Sequence, residues 1–242
     1  SIFGGMKSLK FIDLFCGIGG FHLALKEYGG ECVFASDIDE NCRIVYKNNF
    51  GLEPHGDITQ VKEADIPAHD ILCAGFPCQA FSKAGYRKGV NDPRGTLFYE
   101  IIRIAKHHQP KYMILENVRN LAGHDGGNTW KVIRYNLREI GYNVSDEPII
   151  FSPHYLGIPQ HRERVFILCK RKDLGELSPF TFNKKTSCFL VFESHRSPAS
   201  PPIDLSIFSS LSTTCHATSV ALCSLAPLAC AISCAKMPVQ KS

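Results

Sequence analysis

The sequence predicts an α/β fold, built as a doubly wound and mostly parallel sheet of the Rossmann-like type. Up to about Leu174, short apolar runs rich in β-branched residues alternate with amphipathic, charged stretches. This alternation is typical of strands connected by helices. A glycine turn at residues 17–20 separates the first apolar run from the first helical stretch, as expected where a strand passes into a helix.

Each predicted element follows from its own residue pattern. Strands are expected where a short apolar run ends in glycine or acidic residues, and helices where apolar residues recur at i, i+3, i+4 and i+7. The predicted strands are KFIDLF (10–15), CVFASDID (32–39), HDILCAG (69–75), KYMILENV (111–118) and RVFILCKR (164–171). The predicted helices are FHLALKEYG (21–29), residues 40–50, TLFYEIIRIAKHH (96–108) and TWKVIRYNLREIG (129–141).

Composition supports a globular protein without identifying its ligand. The chain has 242 residues, a net charge of +4 and an apolar fraction of 44%. These values suffice for a core but do not by themselves indicate a nucleic-acid partner. Its eleven cysteines are scattered and no secretory signal precedes them, so we expect reduced thiols and a cytoplasmic location. Residues 1–6 are interpreted as a tag or upstream sequence.

The chain changes character after the predicted α/β domain, which we place at residues 7–185. Residues 186–242 form an atypical, low-charge tail, with no Asp, Glu, Lys or Arg between Asp204 and Lys236. The tail is interpreted as disordered or read out of frame. A divergent but folded region is a less favoured alternative. A membrane span is disfavoured because Pro227 and many Ser and Thr residues interrupt the uncharged run, although the run is long enough.

Ligand-binding residues are expected at one edge of the sheet, because open α/β sheets bind ligands at the carboxyl ends of their strands. The glycine turn, SDID, GDI, the segment around Cys78 and ENV all fall at predicted strand ends. The glycine turn alone is also compatible with a plain tight turn or a dinucleotide loop. Asp37 suits the hydroxyls of a ribose or a solvated strand end, and Asp57 with Ile58 suits an adenine ring or a simple turn.

Cys78 is the candidate nucleophile. Pro77 precedes it and restricts the backbone, and the segment GFPCQAFS lies at a predicted strand end rather than in a core. A nucleophilic cysteine needs such an accessible position, with a base or a lowered pKa. Cys32, Cys73 and Cys169 are instead interpreted as inert, buried thiols.

Glu116 and two arginines are the other candidate catalytic residues. Glu116 ends a purely apolar run, where a partly desolvated carboxyl group can donate a proton near neutrality. The alternative is a structural, salt-bridged acid. Arg162 and Arg164, within QHRER, suit bidentate recognition of an oxygen-bearing group, or belong to a solvated run of charges.

In order and spacing, these motifs resemble those of the cytosine-C5 DNA methyltransferases, most of all the HhaI-type bacterial members. The resemblance rests on FIDLFCGIGGF, SDID, GDI, AGFPCQAFS, ENV and QHRER, and it extends through NDPRGTLFYEIIRI and YLGIPQHRERVFILCKR. It covers residues 7–174. It implies that residues 7–185 are a catalytic domain with the fold of an S-adenosylmethionine-dependent methyltransferase.

The resemblance implies covalent catalysis at a cytosine flipped out of the duplex. Cys78 would add to C6, and Glu116 would bind or protonate N3. Arg164 would hold O2, and Arg162 would support the site. The cofactor would be S-adenosylmethionine, the product S-adenosylhomocysteine, and no metal would take part. The implied cofactor-binding residues are Asp13, Phe15, Gly17, Gly19, Asp37, Ile38, Asp57, Ile58 and Pro77.

The resemblance also implies double-stranded DNA with a short recognition site as the partner. Residues 79–94 are predicted to form a mobile loop that touches phosphates and closes behind the flipped base. Such an enzyme would serve DNA methylation in restriction–modification, at the bacterial nucleoid rather than in a membrane. The candidate DNA contacts are Gln79, Ser82, Lys83, Arg87, Lys88 and Arg94.

The tail departs from the pattern of the family. Members continue with a target-recognition region and a returning segment with a GNS-type motif, and neither is identified after Lys184. We therefore expect the chain to have little activity alone, and to self-associate or to require a complementing chain. Two alternatives stay open, namely a non-catalytic remnant that binds the cofactor and a tRNA cytosine-C5 methyltransferase.

Overall fold

The computed structural model describes residues 9–77, 96–153 and 161–177, and the backbone of 181–182 and 190–191. Its strands are β1 (Lys10–Leu14), β2 (Glu31–Ser36), β3 (Ile71–Gly75), β4 (Tyr112–Val118), β5 (Tyr142–Val144), β6 (Ile149–Phe151), β7 (Arg164–Arg171), β8 (Thr181–Phe182) and β9 (Leu190–Val191). Its α-helices are α1 (Gly20–Glu27), α2 (Glu40–Phe50), α3 (Thr96–His108) and α4 (Asn128–Glu139). Short 3-10 turns are Ile58–Gln60, Glu63–Asp65, Arg119–Ala122, His124–Gly127 and Lys172–Leu174.

Strands β1 to β7 form one sheet in the order β2-β1-β3-β4-β7-β5, with β6 also paired to β7. Neighbours β2, β1, β3 and β4 are parallel. The predicted α/β class with a mostly parallel, Rossmann-like sheet is therefore confirmed. Strands β8 and β9 form a separate antiparallel pair.

Strand β7 departs from the parallel expectation. It runs antiparallel to β4, β5 and β6, so it alone opposes the common direction of the other six strands. The sequence did not reveal β5 and β6, because strands of three residues are too short to show an alternating pattern.

The core lies on both faces of the sheet, as a doubly wound fold requires. Successive residues of β3 alternate between two apolar clusters, with Leu72 and Ala74 on one face and Ile71 and Cys73 on the other. Helices α3 and α4 contribute to the first cluster, which we call the main cluster, and α1 contributes to the second. Because both faces are covered, the strands appear in the sequence as nearly continuous apolar runs.

The predicted inert cysteines lie inside this core. Cys73 and Cys169 are buried and Cys32 is half-buried, and all three are free thiols. Burial raises the pKa of Cys32 to about 12, with a further contribution from the charge of Asp13. Burial also raises the pKa of Cys73 and Cys169. These thiols are therefore protonated at neutral pH and unsuited to nucleophilic attack.

Several predicted features lie outside the described residues. They are Cys78, the loop residues Gln79, Ser82, Lys83, Arg87, Lys88 and Arg94, and the tail apart from the β9 backbone. Among the residues that are described, no helix has the length and apolar character needed to cross a membrane.

Two buried histidines make the fold sensitive to acid. His22 lies 2.8 Å from the Tyr46 hydroxyl and stacks on Phe50, and His69 lies 2.8 Å from the Pro67 carbonyl oxygen. Burial lowers the pKa of each to about 4. The unfolded chain, with ordinary values near 6.5, therefore binds protons that the folded chain does not bind.

We expect the free energy of unfolding to fall as the pH drops from about 6.5 towards 4. The slope is at most about 1.4 kcal/mol per pH unit for each histidine, and this contribution is fully present above pH 6.5. Urea unfolding between pH 7.5 and 4.5 measures it. His69→Leu should reduce the slope, whereas Leu23→Ala, at an exposed residue that carries no titratable group, should not. Equal slopes in all three proteins would contradict the assignment.

Candidate active site

The strand register brings most of the predicted motifs to one edge of the sheet. Leu14 lies opposite Ser36 and Ala74, at the carboxyl ends of β1, β2 and β3. Gly75 lies opposite Glu116. The edge therefore carries the glycine turn, the SDID segment, Pro77 and the ENV segment together, as predicted.

The reversed direction of β7 adds the arginine motif to the same edge. Val118, the last residue of β4, lies opposite Arg164, the first residue of β7. In a parallel arrangement the start of β7 would lie at the other edge. The antiparallel pairing is thus what places Arg164 beside Glu116.

Glu116 and Arg164 form a buried ion pair. The Arg164 Nε atom lies 3.0 Å from Glu116 Oε1, and Glu116 is only 3% exposed. Arg164 also donates from Nη1 to the Glu163 carbonyl oxygen, over 2.9 Å. Burying a carboxylate is costly unless an opposite charge accompanies it, so the guanidinium is what makes an acid tolerable at this depth.

Arg162 is joined to the end of β6 through its backbone. Its N–H donates to the Ser152 hydroxyl over 3.1 Å, which ties the segment before β7 to the end of β6. The next residue, Glu163, pairs with Arg119 over 3.2 Å. Both contacts lie at the end of the sheet where β4 ends and β7 begins, next to the Glu116–Arg164 pair.

Asn117 is a site residue that the sequence did not single out. Its amide Nδ2 donates to the Phe76 carbonyl oxygen over 3.0 Å, and its Oδ1 accepts from the Val118 N–H over 2.8 Å. The side chain is 2% exposed and bridges the ends of β3 and β4 immediately before Pro77. The only sign of this role in the sequence is that Asn117 directly follows Glu116 in the ENV motif.

The glycine turn has left-handed backbone at three residues, Phe15 (φ 55°), Gly17 (φ 53°) and Gly19 (φ 96°). A Cβ atom on Gly19 would lie 2.1 Å from the Phe50 ring, whereas one on Gly17 would meet nothing within 4 Å. Gly19 is thus required by the close approach of α2. Gly17 borders open space that a ligand can occupy.

Asp37 links the glycine turn to the end of β2. Its Oδ2 accepts from the Gly17 N–H over 2.7 Å, and its Oδ1 accepts from the Asp39 N–H over 2.9 Å. The neighbouring Ile38 is 76% exposed, unusual for an isoleucine. A carboxylate bonded to Gly17 and an exposed apolar side chain are therefore consecutive residues just after β2.

Asp39 has a different task from Asp37. Its side chain accepts from the Asn41 and Cys42 N–H groups, over 2.8 and 3.4 Å, and so caps the start of α2. The second acid of SDID is therefore accounted for by the helix.

The structure places Asp57 near this corner but buries its neighbour. His55 bridges Ser36, and its carbonyl oxygen accepts from the Asp37 N–H over 2.9 Å. Asp57 accepts from the Thr59 N–H over 2.9 Å and begins a 3-10 turn. Ile58 belongs to the main apolar cluster and is only 3% exposed. Little of its side chain is therefore accessible to a ligand.

Asp13 lies within the sheet rather than at its edge. It is fully buried and paired in register with Ala35 and Cys73. Phe15 packs partly against the main cluster, and Pro77 is exposed at the end of β3. In the described ranges, no group of three or more His, Cys, Asp or Glu side chains could hold a metal ion, and the expectation of metal-free chemistry stays a prediction.

Comparison with known proteins identifies the family. Residues 9–205 match the model of the C-5 cytosine-specific DNA methylases, which is most of the chain. The protein therefore belongs to this family, as the motifs predicted. The match extends beyond residue 185, where the sequence placed the end of the domain.

Individual relatives agree with this assignment. The chain is 49% identical over 179 residues to the Type II methyltransferase M.HhaI of Haemophilus parahaemolyticus, covering 74% of this chain and 54% of that protein. It is 47% identical over 199 residues to M.HpaII of Haemophilus parainfluenzae, covering 81% and 55%. The crystal structure of S. pombe Dnmt2 methyltransferase aligns with a TM-score of 0.55 at 29% identity, covering 70% and 53%. The chain thus spans about half the length of the relatives it matches.

The contrast between the two glycines can be tested by stability. Gly19→Ala combines a left-handed backbone, at about 1–2 kcal/mol, with overlap on Phe50, at about 1–3 kcal/mol. Gly17→Ala carries only the first cost. We therefore expect a larger loss at Gly19 in urea unfolding, and partial recovery when Gly19→Ala is combined with Phe50→Leu. Equal losses, without recovery, would show that Phe50 does not constrain this turn.

Proposed function

We propose that this protein transfers a methyl group from S-adenosylmethionine to C5 of cytosine in double-stranded DNA. The proposal is carried by the buried Glu116–Arg164 pair, which lies beside the strand end leading to Cys78 and shares an edge with the Gly17–Asp37 corner. Membership of the C-5 cytosine-specific DNA methylases supports it. The edge joins an acid and an arginine with open space at Gly17, and Cys78 follows Pro77 directly in the sequence.

The Gly17–Asp37 corner fits an adenosyl cofactor. Gly17 leaves open space, the exposed Ile38 offers an apolar surface for a base, and Asp37 offers carboxylate oxygens for ribose hydroxyls. Each Asp37 oxygen accepts one backbone bond and keeps a further lone pair. Bound S-adenosylmethionine supplies an electrophilic methyl group. Phe15, Gly19, Asp57 and Pro77 shape the surrounding backbone, with Asp13 and Ile58 behind it.

Cys78 begins the reaction by adding its thiolate to C6 of the cytosine ring, which makes C5 electron-rich. Glu116 in its protonated form gives its proton to N3 and so neutralises the negative charge that develops there, while Arg164 holds O2 and Arg162 supports the site. C5 takes up the methyl group as the bond from that methyl group to sulfur breaks, and the cofactor would be left as S-adenosylhomocysteine. Loss of the C5 proton to water then expels the Cys78 thiolate, the N3 proton returns to Glu116, and 5-methylcytosine is released.

The target base must leave the duplex to reach this site, because its reacting atoms are inaccessible in the stack. We assign the phosphate contacts to the segment after Cys78, which carries Lys83, Arg87, Lys88 and Arg94. The place of action would be the nucleoid, in the cytoplasm. After Lys185 only Arg196, Lys236 and Lys241 add positive charge, so this chain by itself should hold DNA weakly and in a salt-sensitive way.

The nucleophile is tested by trapping. Duplex DNA with 5-fluorocytosine, incubated with S-adenosylmethionine, should remain covalently attached to Cys78, because the C5 fluorine cannot leave as a proton does. Denaturing gels and peptide mapping by mass spectrometry locate the attachment. Cys78→Ala should abolish both the adduct and the transfer of labelled methyl groups, while Cys42→Ala should retain them.

Mixed-sequence DNA and tRNA, offered separately at low salt, distinguish the substrates. If tRNA is methylated and DNA is not, the substrate is RNA and the proposal of a DNA substrate is wrong. Turnover that survives Cys78→Ala would exclude the covalent route. We expect slow transfer from this chain alone, and transfer confined to one short site would show that residues 186–242 read DNA.

The cofactor corner is tested by a pair of acid-to-alanine changes. Asp37→Ala should weaken S-adenosylmethionine binding about tenfold or more, because hydrogen bonds to a charged group contribute about 1.5–3 kcal/mol. Asp39→Ala should cost about 1 kcal/mol of stability through the lost helix cap and leave the affinity unchanged. Isothermal titration calorimetry measures both. An Asp37→Ala protein with wild-type affinity would remove this residue from the cofactor site.

A further inference from the structure

The segment that carries Asp57 and Ile58 has little structure of its own. Between the bridge at His55 and the start of β3, the chain forms two 3-10 turns of three residues each. Such turns have few and poorly aligned hydrogen bonds. Their position therefore depends on contacts with the rest of the protein.

Arg103, a half-buried residue of α3, makes those contacts. Its Nη2 donates to the carbonyl oxygens of Ile58 and Val61, over 3.3 and 3.0 Å. Its Nη1 donates to the carboxylate of Glu63, and its Nε donates over 2.9 Å to Glu100 on the same helix. One guanidinium thus joins both 3-10 turns to α3.

The helix that bears Arg103 is firmly embedded. Ile101 and Ile104 are fully buried in the main cluster. His108, near the end of α3, lies 2.8 Å from the Glu63 carbonyl oxygen, which gives the second turn another tie to this helix. Arg103 therefore fixes the segment from Ile58 to Glu63, which belongs to no strand, to a helix that is packed in the core.

We propose that Arg103 is a positioning residue for the cofactor, holding the Asp57–Ile58 segment in the orientation that receives the adenosyl group. The proposal rests on the proposed function, in which this segment borders the cofactor. Arginine suits the task because its planar fork bonds several acceptors at once, whereas lysine keeps the charge but not the fork. Lysine at 103 should retain an ion pair with Glu63 or Glu100 and lose the carbonyl contacts.

The matched control is Arg138 on α4. Its Nη2 likewise donates to a carbonyl oxygen, that of Val144, over 2.9 Å and to the Asp146 carboxylate over 3.0 Å. It lies near β5, which pairs with the carboxyl end of β7, at the edge opposite the candidate site. Arg138→Lys therefore removes a similar set of contacts where no cofactor is expected.

The experiment measures the affinity of the full chain for S-adenosylhomocysteine and for adenosine by calorimetry, beside the melting temperature. We expect Arg103→Lys to weaken both ligands by the same factor, about tenfold, because both carry the adenosine group. Arg138→Lys should lower the melting temperature by a similar amount and change neither affinity by more than twofold. Glu63→Gln, at a more exposed side chain, should weaken both affinities in the same way as Arg103→Lys but by a smaller factor. This variant takes the place of Arg103→Lys in the comparison if Arg103→Lys does not fold.

The possible results separate this inference from the proposed function. Unchanged affinities in Arg103→Lys, or equal losses in Arg138→Lys, would overturn the positioning role. A loss for S-adenosylhomocysteine without a loss for adenosine would overturn it too, because the effect would then lie elsewhere in the ligand. A wild-type chain that binds neither ligand would contradict the cofactor assignment itself, before any variant is compared.

Discussion

The buried pair of Glu116 and Arg164 is the interaction on which the rest of the site depends. A carboxylate at the end of a central strand cannot be buried alone without a large cost. The guanidinium that accompanies it comes from the strand next to β4 and from the one strand that runs in the reverse direction. The pair therefore requires the β4–β7 register, and that register brings Glu116 and the arginine motif to the edge where the β3–β4 pairing places Pro77.

The loops around this edge are held by single polar side chains mounted on packed elements. Asp37 bonds the Gly17 N–H, Asn117 bonds the Phe76 carbonyl group, and Arg103 bonds the carbonyl groups of the Asp57 segment. In each case a side chain makes the hydrogen bond to a loop backbone group that a neighbouring strand would make within a sheet. Supporting contacts of this kind keep binding groups in place before the ligand arrives.

Most of the fold was predictable, because strands covered on both faces leave continuous apolar runs and helices leave their own period. The site was predictable by motif but less so by role. Gly19 is required by the close approach of the Phe50 ring, and Asp39 caps the start of α2. Ile58 packs in the core. Arg103 and Asn117 were not singled out, because a bond from one polar side chain to a distant carbonyl group leaves no periodic trace in the sequence.

The order of amino acids is enough to specify the alternation of strands and helices, the family motifs and the residue types available for chemistry. Which of those residues come into contact depends on how the strands pair in the folded protein. The clearest case is β7, whose continuous apolar run from Val165 to Cys169 is buried on both faces and is compatible with either strand direction. Its direction was decided by its pairing with β4 and with the short strands β5 and β6, and that choice placed Arg164 against Glu116.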